Sequence, residues 1–188
     1  IQDGIDYPHH DWEGTDGVPI PESDPIPLPG SGTEADPYQI LTANDFALLS
    51  WYWSVLDRHI VLMDDVDLTG LELYPIGDIG AFEGMFDGQN HVVRNAKINR
   101  SGSKYVGIFG RIGSGGRICN IRAENVDIEG GYSVGGLVGD NDGIITNCSV
   151  TGVIKGIDNV GGLVGDFDEG EISNSCSMAI VEGKYDVG

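Results

Sequence analysis

Basic residues are scarce in this sequence, which has 10 lysines and arginines against 30 aspartates and glutamates. The formal net charge is −20, and a surface this acidic repels phosphate backbones and anionic lipid headgroups. No apolar run approaches the roughly 20 residues that a membrane-spanning helix needs. The sequence therefore argues against nucleic acid and membrane insertion, and it favours water and cations as surroundings. An alternative role of the acidity is to keep a repetitive β protein from associating with itself.

Cysteine and helical periodicity are scarce as well. Cys119, Cys148 and Cys176 stand at different offsets from nearby asparagines, so they do not form one column of a repeat, and their spacing matches no zinc pattern. We interpret them as small buried hydrophobic residues, with a disulfide left open. In the C-terminal half no segment repeats apolar residues at the period of a long helix, which excludes a helical architecture there.

Glycine, in contrast, is abundant, with 30 residues that follow no collagen period. The phrase Val-Gly-Gly-Leu-Val-Gly occurs at residues 134–139 and again at 160–165, a degenerate copy occupies 106–110, and Val187-Gly188 begins another. This spacing of roughly 26–28 residues is typical of stacked structural repeats. A phosphate-binding loop is excluded because no helical pattern follows any copy.

Each repeat contains three short β-rich runs separated by Gly, Asn and Asp, which predicts one coil of a parallel β-helix. Crossover chirality predicts a right-handed coil, and successive coils should lie about 4.8 Å apart. The doubled glycine fits a corner where the backbone takes a positive φ or runs close to its neighbour. A recurring apolar-x-Asn triplet predicts a structural ladder of inward amides, made of Asn95, Asn120, Asn147 and Asn174.

The glycine phrases with their trailing Ile-x-Asn triplets resemble the GLUG repeat of large bacterial extracellular and cell-surface proteins. Residues 30–40 resemble the entry sequence that often precedes such arrays, and so do residues 74–77 with 86–91. The resemblance covers residues 30–188 and implies an all-β, right-handed, single-stranded parallel β-helix. It implies little about activity, because this family shares a scaffold and not a reaction.

The N-terminal part differs from the repeats. Residues 1–29 are acidic, proline-rich and free of Lys and Arg, which predicts an extended arm that links domains or covers a sheet edge. Within it, His9, His10 and Asp11 are either metal ligands or solvated loop residues.

A short capping helix is predicted in residues 41–57, with Thr42 or Asn44 as its N-cap. Capping elements cover the apolar interior that a first coil would otherwise expose. Apolar residues on one face of this helix should pack against that coil, namely Phe46, Leu49 and Trp53. The aromatic trio at 51–53 is an alternative platform for sugars. Residues 59–68 are then predicted to form the first long strand.

Regular coils are expected over residues 91–188. The sequence stops inside a repeat motif, with no pattern of a second cap, so we expect a truncated array. In that case the protein continues, or its open edge pairs with another molecule.

The candidate site is a group of acids that the repeat should bring together. Asp140 and Asp166 follow the final glycine of each phrase, while Asp142 and Asp168 stand two residues further on. Stacked on adjacent coils, these carboxylates would repel one another by about 1 kcal/mol per pair even in water. A bound Ca²⁺, splayed side chains, or Arg111 one coil earlier would offset that repulsion. We therefore expect a weak Ca²⁺ site, with solvated turn acids as the alternative.

A second acidic group, Asp64, Asp65 and Asp67, is expected to project into water. No nucleophile–base arrangement stands out, and the short loops leave little material for a cleft, so we do not expect an enzyme. The sequence favours a non-catalytic extracellular or cell-surface module that is structural or adhesive. Its expected partners are other copies of itself, other surface proteins, or glycans. The alternative is a carbohydrate-binding or polysaccharide-cleaving β-helix.

Overall fold

The computed structural model describes residues 26–188, and these form a parallel β-solenoid with one short α-helix. The strands pair in parallel in sheets of six, seven, three and three strands, so that each face of the solenoid is built from equivalent strands of successive coils. This confirms the predicted parallel β-helix, while its right-handedness stays a prediction. The strands are β1 (Tyr38–Ile40), β2 (His59–Leu62), β3 (Val66–Asp67), β4 (Met85–Asp87), β5 (Val92–Arg94), β6 (Lys97–Asn99), β7 (Lys104–Val106), β8 (Phe109–Ile112), β9 (Arg117–Cys119), β10 (Arg122–Glu129), β11 (Tyr132–Gly135), β12 (Val138–Asn141), β13 (Ile144–Thr146), β14 (Ser149–Lys155), β15 (Asp158–Gly161), β16 (Val164–Asp166), β17 (Glu171–Ser173), β18 (Cys176–Ser177) and β19 (Ile180–Glu182).

The register reproduces the sequence period. In the six-stranded sheet Ile118 pairs with Ile145, and Ile145 pairs with Ile172. Val134 of β11 pairs in the same way with Val160 of β15. Equivalent apolar side chains therefore stack on their counterparts and form a continuous interior column.

The doubled glycines are required by close packing. None of the glycines in the phrases at 134–139 and 160–165 has a positive φ. A Cβ added at Gly139 would lie 2.6 Å from the Val106 nitrogen and 2.7 Å from the Gly110 carbonyl oxygen, and one at Gly135 would lie 2.7 Å from the Gly165 nitrogen. The sheet of β7, β11 and β15 thus meets the sheet of β8, β12 and β16 at backbone distance. We call this contact the glycine seam.

Positive φ values occur instead at the asparagines of a corner. Asn120, Asn147 and Asn174 have φ values of 54°, 54° and 49°, in the left-handed region that Asn tolerates better than most residues. The Asn147 Nδ2 donates to Asn120 Oδ1 at 3.1 Å, so the predicted bonding along the stack is present.

Two parts of the ladder prediction are wrong. The amides do not point inward, because Asn147 and Asn174 are exposed at the corner. Asn95 belongs to a different column, since Val93 pairs with Ala123, and its Oδ1 accepts from Asn125 Nδ2 at 2.7 Å.

The capping helix is present as α1 (Ala43–Leu48), which begins at Thr42 with a capping box. Thr42 Oγ1 accepts from the Asp45 amide at 3.2 Å, and Asp45 Oδ2 accepts from the Thr42 amide at 2.8 Å. Phe46 and Leu49 are buried as predicted, but Trp53 is 57% exposed. The helix ends before it, and the 3₁₀ turn that follows buries Val55 instead.

The interior changes character along the solenoid. Phe86 packs its ring against Phe46 and Phe109 at centroid distances of 6.0 and 5.4 Å, so the first coils have an aromatic core. The later coils are filled by Ile, Val and Leu. The capping helix therefore joins the core through Phe46.

Two further predictions are wrong in part, and a third lies mostly outside the described residues. The first long strand, residues 59–68, is broken into β2 and β3 by a corner at residues 63–65. Cys119 and Cys148 are buried as predicted, but Cys176 is exposed, and all three are free thiols. The predicted arm at 1–29 lies mostly outside the described residues, as do His9, His10 and Asp11; its described end buries Ile26 and Leu28.

Candidate functional site

The acidic column lies where the sequence places it. Asp140 at the end of β12 pairs in register with Asp166 of β16, and with Arg111 of β8 on the other side. The repeat alone therefore predicted the neighbours of Asp140 on both adjacent coils.

The carboxylates near Asp140 disfavour its ionised form. Burial raises the pKa of its carboxyl, and the negative charges of Asp142, Asp166 and Asp168 raise it further, while Arg111 opposes them. Asp142 and Asp168 themselves are exposed, so their side chains can splay into water. The predicted repulsion is thus relieved in part by solvent and in part by the guanidinium one coil away.

Two residues that the sequence reasoning missed bind the second carboxylate. Asp166 Oδ2 accepts from Ser133 Oγ at 3.3 Å and from Asn159 Nδ2 at 3.1 Å. Ser133 and Asn159 occupy equivalent positions of β11 and β15, and both have left-handed backbones, with φ of 51° and 50°. Their common offset within the repeat is the signal that could have identified them.

A calcium site is not assembled in this conformation. Within residues 26–188, no three His, Cys, Asp or Glu side chains lie close enough together to hold a metal ion. Binding would require Asp142 or Asp168 to turn toward Asp140. The Ca²⁺ site therefore stays a prediction.

The second acidic group, Asp64, Asp65 and Asp67, is exposed as expected, and Asp65 also makes structural contacts. Asp65 accepts from the Val92 amide at 2.9 Å, forms an ion pair with Arg94 at 3.1 Å and contacts His91 at 3.3 Å. The hydrogen bond from the Val92 amide is the largest cause of a lowered pKa at Asp65, and the contacts with Arg94 and His91 lower it further. This carboxylate ties the corner after β2 to the next coil.

No catalytic arrangement is apparent in the described part of the chain. Neither His59 nor His91 donates to or accepts from a serine or cysteine side chain. Burial raises the pKa of the Cys119 thiol to about 12, and it also raises that of Cys148, so neither is an activated nucleophile.

Comparison with known sequences identifies the repeat. A family model described as the GLUG motif matches residues 130–155, which contain the first complete glycine phrase and Asn147. In the structure this match runs from the start of the glycine seam through β14. The motif is therefore one coil of the solenoid.

Two relatives match most of the chain. A halomucin from Haloquadratum walsbyi is 32% identical over 137 residues, which are 68% of this chain and 2% of the halomucin. A protein named as a Gly-rich membrane protein from Evansella cellulosilytica is 36% identical over 131 residues, covering 64% of this chain and 15% of that protein. The chain thus spans a small fraction of the length of these relatives.

A crystal structure described as that of an immunoglobulin A1 protease from Bacteroides ovatus shares the fold. Its TM-score is 0.64 at 25% identity, and the match covers 80% of this chain and 49% of the other. None of the helices in residues 26–188 is both long and apolar enough to cross a membrane. With the GLUG match and the coil-by-coil register, these findings show that the chain carries a GLUG motif as part of a parallel β-solenoid fold.

Proposed function

We propose that this chain is a non-catalytic, rigid module of a larger surface or secreted protein. The observation that carries the proposal is the uninterrupted register of its coils, because β9 is hydrogen-bonded to β13 and β13 to β17, each the counterpart of the other in the adjacent coil. Such a ladder resists bending along its axis, and neighbouring coils share their interior columns. The names of the two relatives, a halomucin and a Gly-rich membrane protein, support a place at the cell surface.

The last coil supports a finer proposal, which is pairing with a second copy of the solenoid. Within residues 26–188, strands β17 and β19 each have a partner on one side only, and Ile172 and Ile180 are 36% and 62% exposed. An unpaired parallel edge with apolar side chains is a template for another strand. Sedimentation of the chain and of an Ile180→Lys variant tests this pairing: self-association should be present in the former and weaker in the latter, and a concentration-independent monomer would contradict it.

Two measurements test the rigid, non-catalytic module. Small-angle scattering should show an elongated, stiff particle, and incubation with polysaccharides and with protein substrates should release no products. Protein substrates belong in the test because the structural neighbour is described as a protease. Turnover that an Asp140→Asn variant abolishes would replace the proposal with an enzymatic one.

A further inference from the structure

A pocket lies on the aromatic half of the solenoid, away from the acidic column. Its volume is about 300 Å³, and it is lined by the turn after Tyr74, by the turn that leads into β7 and by β7 itself, with side chains that include Pro75, Asp78, Arg100, Ser103, Lys104 and Tyr105. This volume is at the lower end of the range for ligand pockets, which is roughly 300–1,000 Å³. The pocket therefore suits one small ring and is too small for a folded peptide segment.

Cations concentrate around this pocket, although the chain as a whole is strongly acidic. Arg100 and Lys104 line it, and the guanidinium of Arg111 lies over the ring of the lining residue Tyr105. In the described residues Lys104 and Arg111 form no ion pair with a carboxylate, and the buried Arg111 Nε has no hydrogen-bond partner. Lys97 and Lys155, in contrast, are paired with acids.

Tyrosine rings hold these cations in place. The Arg100 guanidinium lies 3.6 Å from the centroid of the Tyr74 ring, and the Arg111 guanidinium lies 5.2 Å from that of Tyr105. Cation–π contacts of this kind orient a charge without neutralising it. The charges of these two guanidinium groups are thus oriented beside the pocket, next to the Lys104 ammonium.

Tyr105 occupies a position that the backbone does not favour for tyrosine. Its φ is 59°, and the equivalent residues of the next three coils, Ser133, Asn159 and Asp186, have φ values of 51°, 50° and 38°. Small polar residues tolerate the left-handed region better than a bulky ring, for which the cost is roughly 1–2 kcal/mol. A strained residue whose side chain borders a pocket is a candidate for function. The coil that carries the pocket is the one with an aromatic ring at this position.

Further aromatic surface adjoins the pocket. Asp78 also borders a shallow depression lined by residues 51–53, and the Trp51 ring lies 4.6 Å from that of Tyr74. The exposed Trp53 lies at the far side of this depression. Flat aromatic faces beside polar groups suit a ligand with an apolar ring face and a polar edge.

We propose that this pocket binds one acidic sugar unit, carboxylated or sulfated, of an extracellular glycan. Its anionic group would contact Lys104 and Arg100, and the apolar face of its ring would lie against Tyr105. The Asp78 carboxylate and the Ser103 hydroxyl would bind sugar hydroxyls, because an acceptor and a hydroxyl complement alcohol groups and not a second anion. A bare inorganic anion would gain nothing from Tyr105 and would be repelled by Asp78.

The net charge does not prevent this binding. Repulsion from distant carboxylates acts over the Debye length, which is about 8 Å at physiological ionic strength and about 3 Å at 1 M salt. Contacts at hydrogen-bond distance inside a pocket are screened much less. We therefore expect the site to work best at moderate or high salt.

Isothermal titration of the intact chain with trigalacturonate, a sulfated galactose trisaccharide and neutral trigalactose tests the proposal. At least one acidic ligand should bind, and it should bind about tenfold or more tightly than trigalactose, as expected for one charge-assisted contact. Which acidic ligand binds identifies the anionic group. Equal affinity for trigalactose, or no binding of either acidic sugar, would overturn the proposal.

Variants then place the site. Lys104→Gln removes an exposed charge and should lower the affinity about tenfold, whereas Lys155→Gln, the same change on another face, should leave it unchanged. Tyr105→Asn introduces the residue found at 159 and should abolish binding while it raises or preserves thermal stability. A purely structural Tyr105 would give the opposite pair of results, namely lower stability and unchanged binding. Either that result or equal binding by Lys104→Gln and the native chain would contradict the site.

Discussion

The coils before and after residue 104 are built differently, although they belong to one solenoid. In the later coils Ile118 pairs with Ile145 and Ile145 with Ile172, an interval of 27 residues each time. Earlier, Phe86 pairs with Ile118, an interval of 32 residues. Part of this difference arises in the turn around residues 100–104, where the pocket lies, because Ile98 pairs with Ile128 at an interval of 30 residues and Val106 pairs with Val134 at 28. Regular units provide length, and the coil that departs from the period provides a concave surface with its own chemistry.

The largest expected effect comes from the aromatic core of the early coils. Phe86→Ala should lower the free energy of unfolding by about 3–5 kcal/mol, because Phe86 is fully buried between two other rings. A smaller truncation in the regular coils, Ile145→Val, should cost about 0.5–1.5 kcal/mol. Chemical denaturation of both variants measures the two losses, and equal losses would contradict the large contribution expected of the aromatic core.

The glycine seam should show the next largest effect. Gly139→Ala places a Cβ against the backbone of Val106 and Gly110, which cannot move without separating two sheets. We expect a loss of about 3 kcal/mol in thermal or urea unfolding. Gly80→Ala is the control, because its added Cβ meets the end of the Leu56 side chain at 3.3 Å. Comparable losses for the two glycines would contradict the role of close packing in the seam.

At the left-handed corner we expect a smaller loss of stability, whose size should differ between two substitutions of Asn147. Asn147→Ala loses the hydrogen bond to Asn120 and adopts an unfavourable φ, so it should cost about 1–2 kcal/mol. Asn147→Gly retains the backbone freedom and should cost less. Calorimetry measures the melting of both variants. A smaller loss of stability for Asn147→Ala than for Asn147→Gly would show that the corner does not depend on φ.

The smallest effect is expected at the acidic column, where a substitution should increase the stability of the fold. The pKa of Asp140 in the folded protein lies above its ordinary value of 3.8. Ionisation of Asp140 therefore lowers the stability of the fold as the pH rises from 3.8 through the folded-state pKa. Asp140→Asn should therefore be more stable than the native chain at neutral pH, by less than about 1 kcal/mol, and the gain should vanish below pH 3.8. Asp127→Asn, which removes an ion pair with Lys97, should give no such gain.

The same variant tests the calcium prediction. If Ca²⁺ binds between Asp140 and Asp166, the ion should raise the melting temperature of the native chain and not that of an Asp140→Asn/Asp166→Asn variant. Identical melting temperatures with and without Ca²⁺ in the native chain would remove the prediction, and repulsion would then be relieved by Arg111 and water alone.

The regular coils could be predicted from the sequence because their spacing is constant. Identical offsets within the glycine phrases were enough to place Asp140 between Arg111 and Asp166. Asn95 was misplaced because left-handed residues occur at more than one position of a coil, and its distance from Asn120 is close to the repeat length. The register shows that it belongs with Asn125 instead.

The early coils could be predicted only in part. Thr42 was recognised as a helix N-cap from its local sequence, but the spacing of Phe46, Leu49 and Trp53 suggested a longer helix than the six residues that form. The pocket could not be predicted, because it joins Asp78 to Lys104 through a coil whose length departs from the repeat. Contacts of that kind, between residues that are distant in the sequence, leave no periodic pattern in it.

The glycine seam has an evolutionary consequence. Since its contacts are between backbones, they recur in the coils that carry the glycine phrase, and one such unit can replace another without a change of side chains. Recombination that adds a whole unit would lengthen the protein by about 4.8 Å and leave the other coils intact. The reach of the molecule could then be adjusted in fixed steps, while a feature that occurs once, such as the Tyr105 surface, keeps its shape and its position relative to the helix α1.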